Sequence, residues 1–224
     1  MSKLIFITGI DTGVGKTYAT GLIAKGLINM GFKTITMKPI QTGCDNFSED
    51  IIEHRKLSGS ELTPYDLDKI TSPYIFKYPA SPHLSAKLEN KKIDINVIVK
   101  NIELLQNNFD YILIEGAGGL MVPINDSFLM IDLIKKINAD TILVSTPKLG
   151  SINHTLLSIE ALTSRNIKII AILYNLFYNL GQTITDNTLD TIKQFHRGIP
   201  IFKFFKEIED PFFSVISNNK KVTI

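Results

Sequence analysis

Residues 3–17 read Lys3-Leu4-Ile5-Phe6-Ile7-Thr8-Gly9-Ile10-Asp11-Thr12-Gly13-Val14-Gly15-Lys16-Thr17. Lys3 to Thr8 is a short apolar, β-rich run that stops at a glycine loop. From Lys16 to Met30, Ala19, Ile23, Leu27 and Met30 recur at helical spacing. The stretch predicts strand, loop, helix. Small residues at that junction let backbone N–H groups converge on phosphate oxygens, and the helix N-terminus adds its partial positive charge. In such a loop Lys16 reaches the β- and γ-phosphates and the Thr17 hydroxyl binds Mg²⁺. Five residues separate Gly9 from Gly15, one more than the strict GxxxxGK[ST] pattern allows.

The same rhythm continues outward. Thr34 to Met37 makes a second strand, and Ile95, Ile98, Val99, Ile102 and Leu105 mark the core face of a helix before the strand Tyr111 to Ile114. Strand Thr141 to Ser145 precedes a helix with Ile152, Leu156, Ile159 and Leu162 on one face, then strand Ile169 to Leu173. A helix from Asp186 to Phe195 and a short strand near Ile201 close the pattern. Strands apolar throughout and separated by amphipathic helices belong to a parallel sheet covered on both faces. The expectation is one domain over residues 1–224: a three-layer α/β/α P-loop NTPase fold with a mostly parallel sheet. Leu57 to Pro82, with four prolines, is the least regular stretch and is read as a substrate-side loop at the sheet's carboxyl edge.

Totals narrow the function classes. Hydrophobic residues at 44% and charged residues at 21% are globular values, and no run of about eighteen apolar residues could span a membrane. The apolar N-terminal run leads into the glycine loop rather than to a cleavage site, so it reads as a strand and not a signal peptide. The single cysteine, Cys44, excludes an internal disulfide or a cysteine-cluster metal site and points to reducing cytoplasm. A net charge of +2 with scattered lysines gives no sign of nucleic acid as a partner. The glycosylation-like triplets at Asn46, Asn125 and Asn153 carry no meaning without secretion.

Two further places carry chemistry. Lys38 ends the second strand in Met37-Lys38-Pro39-Ile40-Gln41-Thr42-Gly43, where the sheet's carboxyl edge brings it near the phosphate loop to neutralise a transferring phosphoryl group. Tyr111 to Gly119 is an apolar strand ending in Glu115 and a glycine loop, and a carboxylate there is placed to hold Mg²⁺ directly or through water. His54, His83, His154 and His196 form no HxxxH or HxH pattern and are read as surface or packing residues rather than ligands. No Gly-x-Ser-x-Gly elbow is present, and Cys44 is given no chemical role.

Taken together, GIDTGVGKT at 9–17, MKPIQTG at 37–43, EGAGGLMVP at 115–123 and KLGSINH at 148–154 resemble the dethiobiotin synthetase family, in order and over almost the whole chain. The resemblance implies a homodimer, with the active site at the interface, in the P-loop branch that holds nitrogenase iron protein and MinD-like ATPases. It implies closure of the ureido ring of dethiobiotin from 7,8-diaminononanoate, CO₂ and ATP with Mg²⁺. One substrate amine captures CO₂ as a carbamate, the carbamate attacks the γ-phosphate, and the second amine closes the ring and expels phosphate.

By that resemblance Lys38 and Lys16 are the catalytic lysines, and Thr17, Asp50 and Glu115 hold the metal. Asp45 and Glu53 stay open as alternatives to Asp50. Gly13, Val14, Gly15, Lys16, Thr17 and Tyr18 bind nucleotide with Asp50, Glu115, Gly116, Ala117 and Gly118. Asn175 is the adenine-side asparagine, with Leu176 after it where the family pattern has an aspartate. Thr12, Lys38 and Thr42 contact substrate. Gly150, Ser151, Ile152 and Asn153, opening a helix, meet the substrate carboxylate across the dimer interface. Lys203-Phe204-Phe205-Lys206 stands in place of the family's Gly-Glu-Ile-Pro, which bears on base specificity.

The competing reading is a MinD- or ParA-like ATPase switch acting through a protein or membrane partner. Those proteins carry an added lysine at the loop's start, where this chain has Thr8-Gly9-Ile10. The segment Asn218 to Ile224 is too short for a basic membrane-binding helix. A cobyrinate-type amidation enzyme would need a glutaminase domain, and none follows.

Overall fold

The computed structural model describes residues 2–178 and 181–217; the Asn218 to Ile224 segment lies outside them. In chain order the elements are β1 (Lys3–Gly9), α1 (Lys16–Asn29), β2 (Thr34–Met37), β3 (Ile40–Thr42), α2 (Glu49–Ser58), α3 (Pro64–Leu67), β4 (Tyr74–Phe76), α4 (Pro82–Leu88) and α5 (Ile95–Gln106). There follow β5 (Tyr111–Glu115), β6 (Pro123–Asn125), β7 (Phe128–Leu129), α6 (Met130–Lys136), β8 (Asp140–Ser145), α7 (Ser151–Thr163), β9 (Ile169–Asn175), α8 (Gln182–Phe195), β10 (Ile201–Phe204) and α9 (Phe212–Ser217).

Six strands form the central sheet in the order β10-β9-β8-β1-β5-β2, and every pairing in it is parallel. The strand residues explain why. Tyr111 and Leu113 of β5 join the core with Ile5, Ile7 and the apolar face of α1, while Ile112 and Ile114 join Phe6 and the helices α5 and α6 on the other face. A strand buried on both faces can be apolar at every position, which is the signature residues 111–114 show before the acid that ends β5. A third cluster seats α7 and α8 on Leu143, Ile172 and Tyr174.

Register sets the site. Ile7 of β1 pairs with Glu115 of β5, and Met37 of β2 pairs with Ile114. The next step along β2 therefore brings Lys38 alongside Glu115, with the phosphate loop leaving β1 on the far side. Three adjacent strands deliver their chemistry to one carboxyl edge.

The helix α2 is brought to that edge by α1. Thr17 and Gly21 lie one turn apart on α1, and a Cβ at Gly21 would fall 2.6 Å from Leu57 Cβ, so only glycine permits so close a crossing. Ser48 caps α2 by accepting from Ile51 N at 3.3 Å, and the cap starts the helix so that Asp50 lies in its first turn.

Three expectations are refined. Met30 is exposed, because α1 ends at Asn29. On α7 the residues turned fully inward are Ser151, Thr155, Ile159 and Leu162, since the Thr155 hydroxyl bonds the buried Ser145 hydroxyl at 2.8 Å and leaves Ile152 and Leu156 half-buried. The irregular stretch holds α3 and a strand, β4, that pairs parallel with β3.

Candidate active site

The phosphate loop is a tight turn that L side chains would oppose. Gly15 sits at φ +97°, in the left-handed region, with no room for a Cβ against Asn175 Nδ2. That Asn175 amide donates to Val14 O at 2.9 Å and its Oδ1 accepts from Phe177 N at 3.0 Å. Tyr178 donates its hydroxyl to Gly13 O at 2.6 Å. The strand end of β9 thus braces the loop from behind.

Lys16 is buried and donates to Asp11 O at 2.8 Å, so its ammonium curls over the loop it serves. Burial, reinforced by the nearby Lys38 charge, lowers its pKa to about 8. Lys38 is the more secure cation. Its Nζ donates to Asp50 Oδ2 at 2.7 Å, Glu115 Oε1 at 2.8 Å and Gly116 O at 3.2 Å, which uses all three donors of an ammonium. Burial opposes its charge, but Glu115 and Asp50 outweigh burial and hold the Lys38 pKa above the ordinary lysine value. Glu115 is 1% exposed; burial would raise its pKa, yet Lys38 and His54 hold it well below the usual carboxylate range.

Thr17 closes the group. Its Oγ1 lies 3.2 Å from Asp50 Oδ1 and 3.0 Å from Glu115 Oε1. One hydroxyl proton faces two carboxylate oxygens, so this corner is richer in lone pairs than in donors. Three hard oxygen donors carrying two negative charges suit Mg²⁺, which binds through one or two carboxylates plus nucleotide phosphates. Among the described residues no three or more His, Cys, Asp or Glu side chains gather as a self-sufficient metal cage. The donor set is therefore one that fits a metal arriving with its nucleotide.

A cleft of about 800 Å³ opens over these groups. It is lined by Thr12, Gly13, Gly15, Lys16, Thr17, Tyr18, Lys38, Thr42, Asp50, Glu115, Ala117 and Gly118, and by Pro79 to Pro82 from the end of the irregular stretch. Gly116 lies just beneath, through its carbonyl to Lys38. Asp45 pairs with Lys77 on the surface at 3.2 Å, and Glu53 reaches the cleft wall but pairs with Lys56 at 3.5 Å, so of the three acids Asp50 alone touches Thr17 and Lys38.

Gly150, Ser151, Ile152 and Asn153 do not line the cleft; they open α7. Leu176 follows β9 in a short 3₁₀ turn, Leu176–Tyr178, packed against the third core cluster. Beyond it Phe177 and Phe205 stack at 6.2 Å and 22°, both exposed, and Tyr18 donates to Lys206 O at 3.3 Å. Cys44 is buried and its thiol pKa is raised by burial, in keeping with no chemical role.

One participant escaped the sequence reading. His54 is fully buried, and its Nε2 lies 2.7 Å from Glu115 Oε2. A signal was available, since His54 follows Asp50 by one helical turn and shares its face.

A family model described as an AAA domain matches residues 3–210. An ATP-dependent dethiobiotin synthetase of Haemophilus influenzae is 53% identical over 175 residues, 78% of this chain and 92% of that protein. Its counterpart in Pasteurella multocida is 47% identical over 195 residues, 87% of this chain and 92% of that one. The Methanocaldococcus jannaschii protein of the same name is 37% identical over 212 residues, 92% and 95% of the two chains. Among solved structures, a ParA family ATPase from Chlorobium tepidum superposes with TM-score 0.53 at 17% identity, over 97% of this chain and 90% of its own. The MinD cell division protein of Aquifex aeolicus gives 0.51 at 20%, over 98% and 88%. At those identities the likeness is one of fold.

Proposed function

This chain belongs to the family of ATP-dependent dethiobiotin synthetases, cyclo-ligases of biotin biosynthesis, and from that premise we propose that its cleft converts 7,8-diaminononanoate and CO₂ to dethiobiotin at the expense of ATP. A substrate amine adds to CO₂ and loses a proton, giving a carbamate. A carbamate oxygen attacks the γ-phosphorus and ADP leaves. The second amine attacks the carbamoyl carbon of the mixed anhydride and gives up a proton, the C–O bond to phosphate breaks so that phosphate leaves, and the ring closes.

Little of this needs covalent help from the protein; it needs anions held in line and charge neutralised. Thr17, Asp50 and Glu115 would hold Mg²⁺, which would supply positive charge to offset that of the phosphates. Lys16 answers the β- and γ-phosphates. Lys38, on the wall between the phosphate loop and Thr42, answers the carbamate and the transferring phosphoryl group. Thr12 and Thr42 orient the diamine, and Gly116, Ala117 and Gly118 pack against the nucleotide.

The Gly150 to Asn153 turn serves the substrate carboxylate of a second copy, which is why the working form is read as a homodimer with its site at the interface. Residues 1–224 act as one domain, in the cytoplasm. The observation that carries the reading is Lys38 clamped between Asp50 and Glu115 with Thr17 touching both acids.

The test is phosphate release with ATP, Mg²⁺ and bicarbonate, with and without the diamine, and with product mass measured. Diamine-dependent release with dethiobiotin formed supports the proposal. Diamine-indifferent hydrolysis stimulated by a protein or lipid partner sinks it.

A further inference from the structure

We infer that His54 is a positioning residue for Glu115, the last link of a one-way hydrogen-bond relay that fixes which oxygen of Glu115 faces the metal. The inference rests on reading Thr17, Asp50 and Glu115 as the metal site. Behind Glu115 lies a buried chain of polar groups with no place in the reaction. His54 Nδ1 lies 3.1 Å from Thr36 Oγ1, Arg55 Nη1 donates to the same hydroxyl at 2.8 Å, and Arg55 is forked onto Asp66 at 2.9 and 2.7 Å. Asp66 also accepts from Thr63 N and from the Thr71 hydroxyl, both at 2.7 Å, so the far end is anchored to α3 and to the turn before β4.

Donor chemistry gives this chain a direction. A guanidinium only donates, so Thr36 Oγ1 accepts from Arg55 and keeps its own proton to give. That proton can go to His54 Nδ1, the arrangement that leaves a ring proton on Nε2. An ionised carboxylate only accepts, so Nε2–H donates to Glu115 Oε2. The opposite tautomer would set a bare ring nitrogen against a carboxylate oxygen at 2.7 Å in a fully buried place, where unpaired polar atoms are costly. In that arrangement every bond from Arg55 onward points toward Glu115.

The consequence lies in the other oxygen. With Oε2 taken by His54, Oε1 is the one left to Thr17 at 3.0 Å and Lys38 at 2.8 Å. A carboxylate free to turn about its last bond would share both oxygens with Lys38; held at Oε2 it presents one oxygen, in one plane. Groups that orient metal ligands in this way are worth about 10–100-fold in metal affinity.

The test uses the full chain and Mn²⁺ as the probe, titrated by electron paramagnetic resonance in the presence of ADP, with thermal melting alongside. His54→Leu keeps the bulk and removes the donor, His54→Gln keeps an N–H at the Nε2 position, and Thr36→Val leaves the ring but removes what sets its tautomer. We expect His54→Leu to weaken Mn²⁺ about tenfold or more, His54→Gln to recover most of it, and Thr36→Val to fall between, with metal-free ADP affinity unchanged throughout.

Wild-type Mn²⁺ affinity in His54→Leu, whatever its melting temperature, overturns the relay. Should His54→Leu not fold, wild-type affinity in Thr36→Val does the same. Asp50→Asn separates the two levels: if it leaves Mn²⁺ binding untouched while His54→Leu weakens it, Asp50 is not a metal ligand, while Glu115 as ligand and its positioning by His54 stand.

Discussion

Replacing Gly21 with alanine should cost this enzyme far more activity than stability. The added Cβ would lie 2.6 Å from Leu57 Cβ, 2.8 Å from its Cδ1 and 3.2 Å from its Cγ. Carbon atoms in contact prefer about 3.5–4.0 Å, so α1 and α2 must part by roughly 1 Å at this crossing. One turn away along α1 and about two turns away along α2, Asp50 Oδ1 sits 3.2 Å from Thr17 Oγ1, already near the limit of a hydrogen bond. A further ~1 Å breaks the contact.

Two stability terms oppose each other: alanine in place of a mid-helix glycine gains about 1 kcal/mol, and overpacking costs about 1–3 kcal/mol. The net loss is about 0–2 kcal/mol, a fall in Tm of up to about 8 °C for a chain of this size. Misplacing a catalytic group by ~1 Å costs about 100-fold in rate. The expected Gly21→Ala enzyme therefore melts within several degrees of the wild type, needs more Mg²⁺ for half-maximal rate, and loses about two orders of magnitude in diamine-dependent phosphate release. Adding Leu57→Gly removes the whole side chain that the new methyl meets and should restore most of the rate. A Gly21→Ala protein with wild-type rate and Mg²⁺ dependence, or a double variant no better than the single, refutes the argument that the helix crossing places Asp50.

Lys38→Met should lower diamine-dependent phosphate release by about 10²–10³. It should also make Mg²⁺ raise Tm more than in the wild type, because Asp50 and Glu115 then lack their internal cation; equal Mg²⁺ shifts in the two proteins would count against that. Asp66 has its pKa held below the ordinary 3.8, against the effect of burial, by its bonds to Arg55, Thr71 and Thr63. A depressed folded-state value means stability that is present above 3.8 and lost as pH falls through the folded value, so urea midpoints of wild type and Asp66→Asn should differ at pH 7 and converge in acid. Phe205→Ala should raise KM for ATP about fivefold by removing half of the exposed Phe177–Phe205 stack, with the same factor for GTP and CTP since an aromatic face does not read a base edge; an effect confined to ATP would refute it.

What the sequence revealed, and what it hid, divides along the range of the interactions. The long strands and helices are legible because their cause is local: β5 is apolar at four successive positions before its acid, and α5 repeats its core residues at helical spacing. Strands of two or three residues such as β3, β4 and β7 show no period at all and exist through pairing. Ile152 and Leu156 misled as core residues of α7 because a buried hydroxyl pair, Ser145 with Thr155, sets the helix rotation and hydrophobicity alone does not. At the site the loop, Lys38 and Glu115 stand out by their positions at strand ends. The choice of Asp50 over Asp45 and Glu53 hangs on the Ser48 cap and on α2 lying against Gly21. His54 was passed over for the same reason: its partners Thr36 and Glu115 are 18 and 61 residues away.

MinD- and ParA-like proteins share this fold at 15–20% identity, so the fold alone does not select the chemistry. The charge arrangement is more telling. In a nucleotide hydrolase the attacking water is neutral, whereas a carbamate brings a negative charge toward a triphosphate that is already anionic. Such a site needs a second fixed cation that keeps its proton while anions come and go. Lys16, with a pKa lowered to about 8, needs an added anion to bring its proton affinity back toward the ordinary lysine value. Lys38 does not, because Asp50 and Glu115 hold its proton before any ligand arrives. The two acids serve twice, as metal ligands in the proposed reaction and as the counter-charge that lets a buried lysine stay cationic. That double use accounts for why Lys38, Asp50 and Glu115 must reach the same carboxyl edge from three different elements.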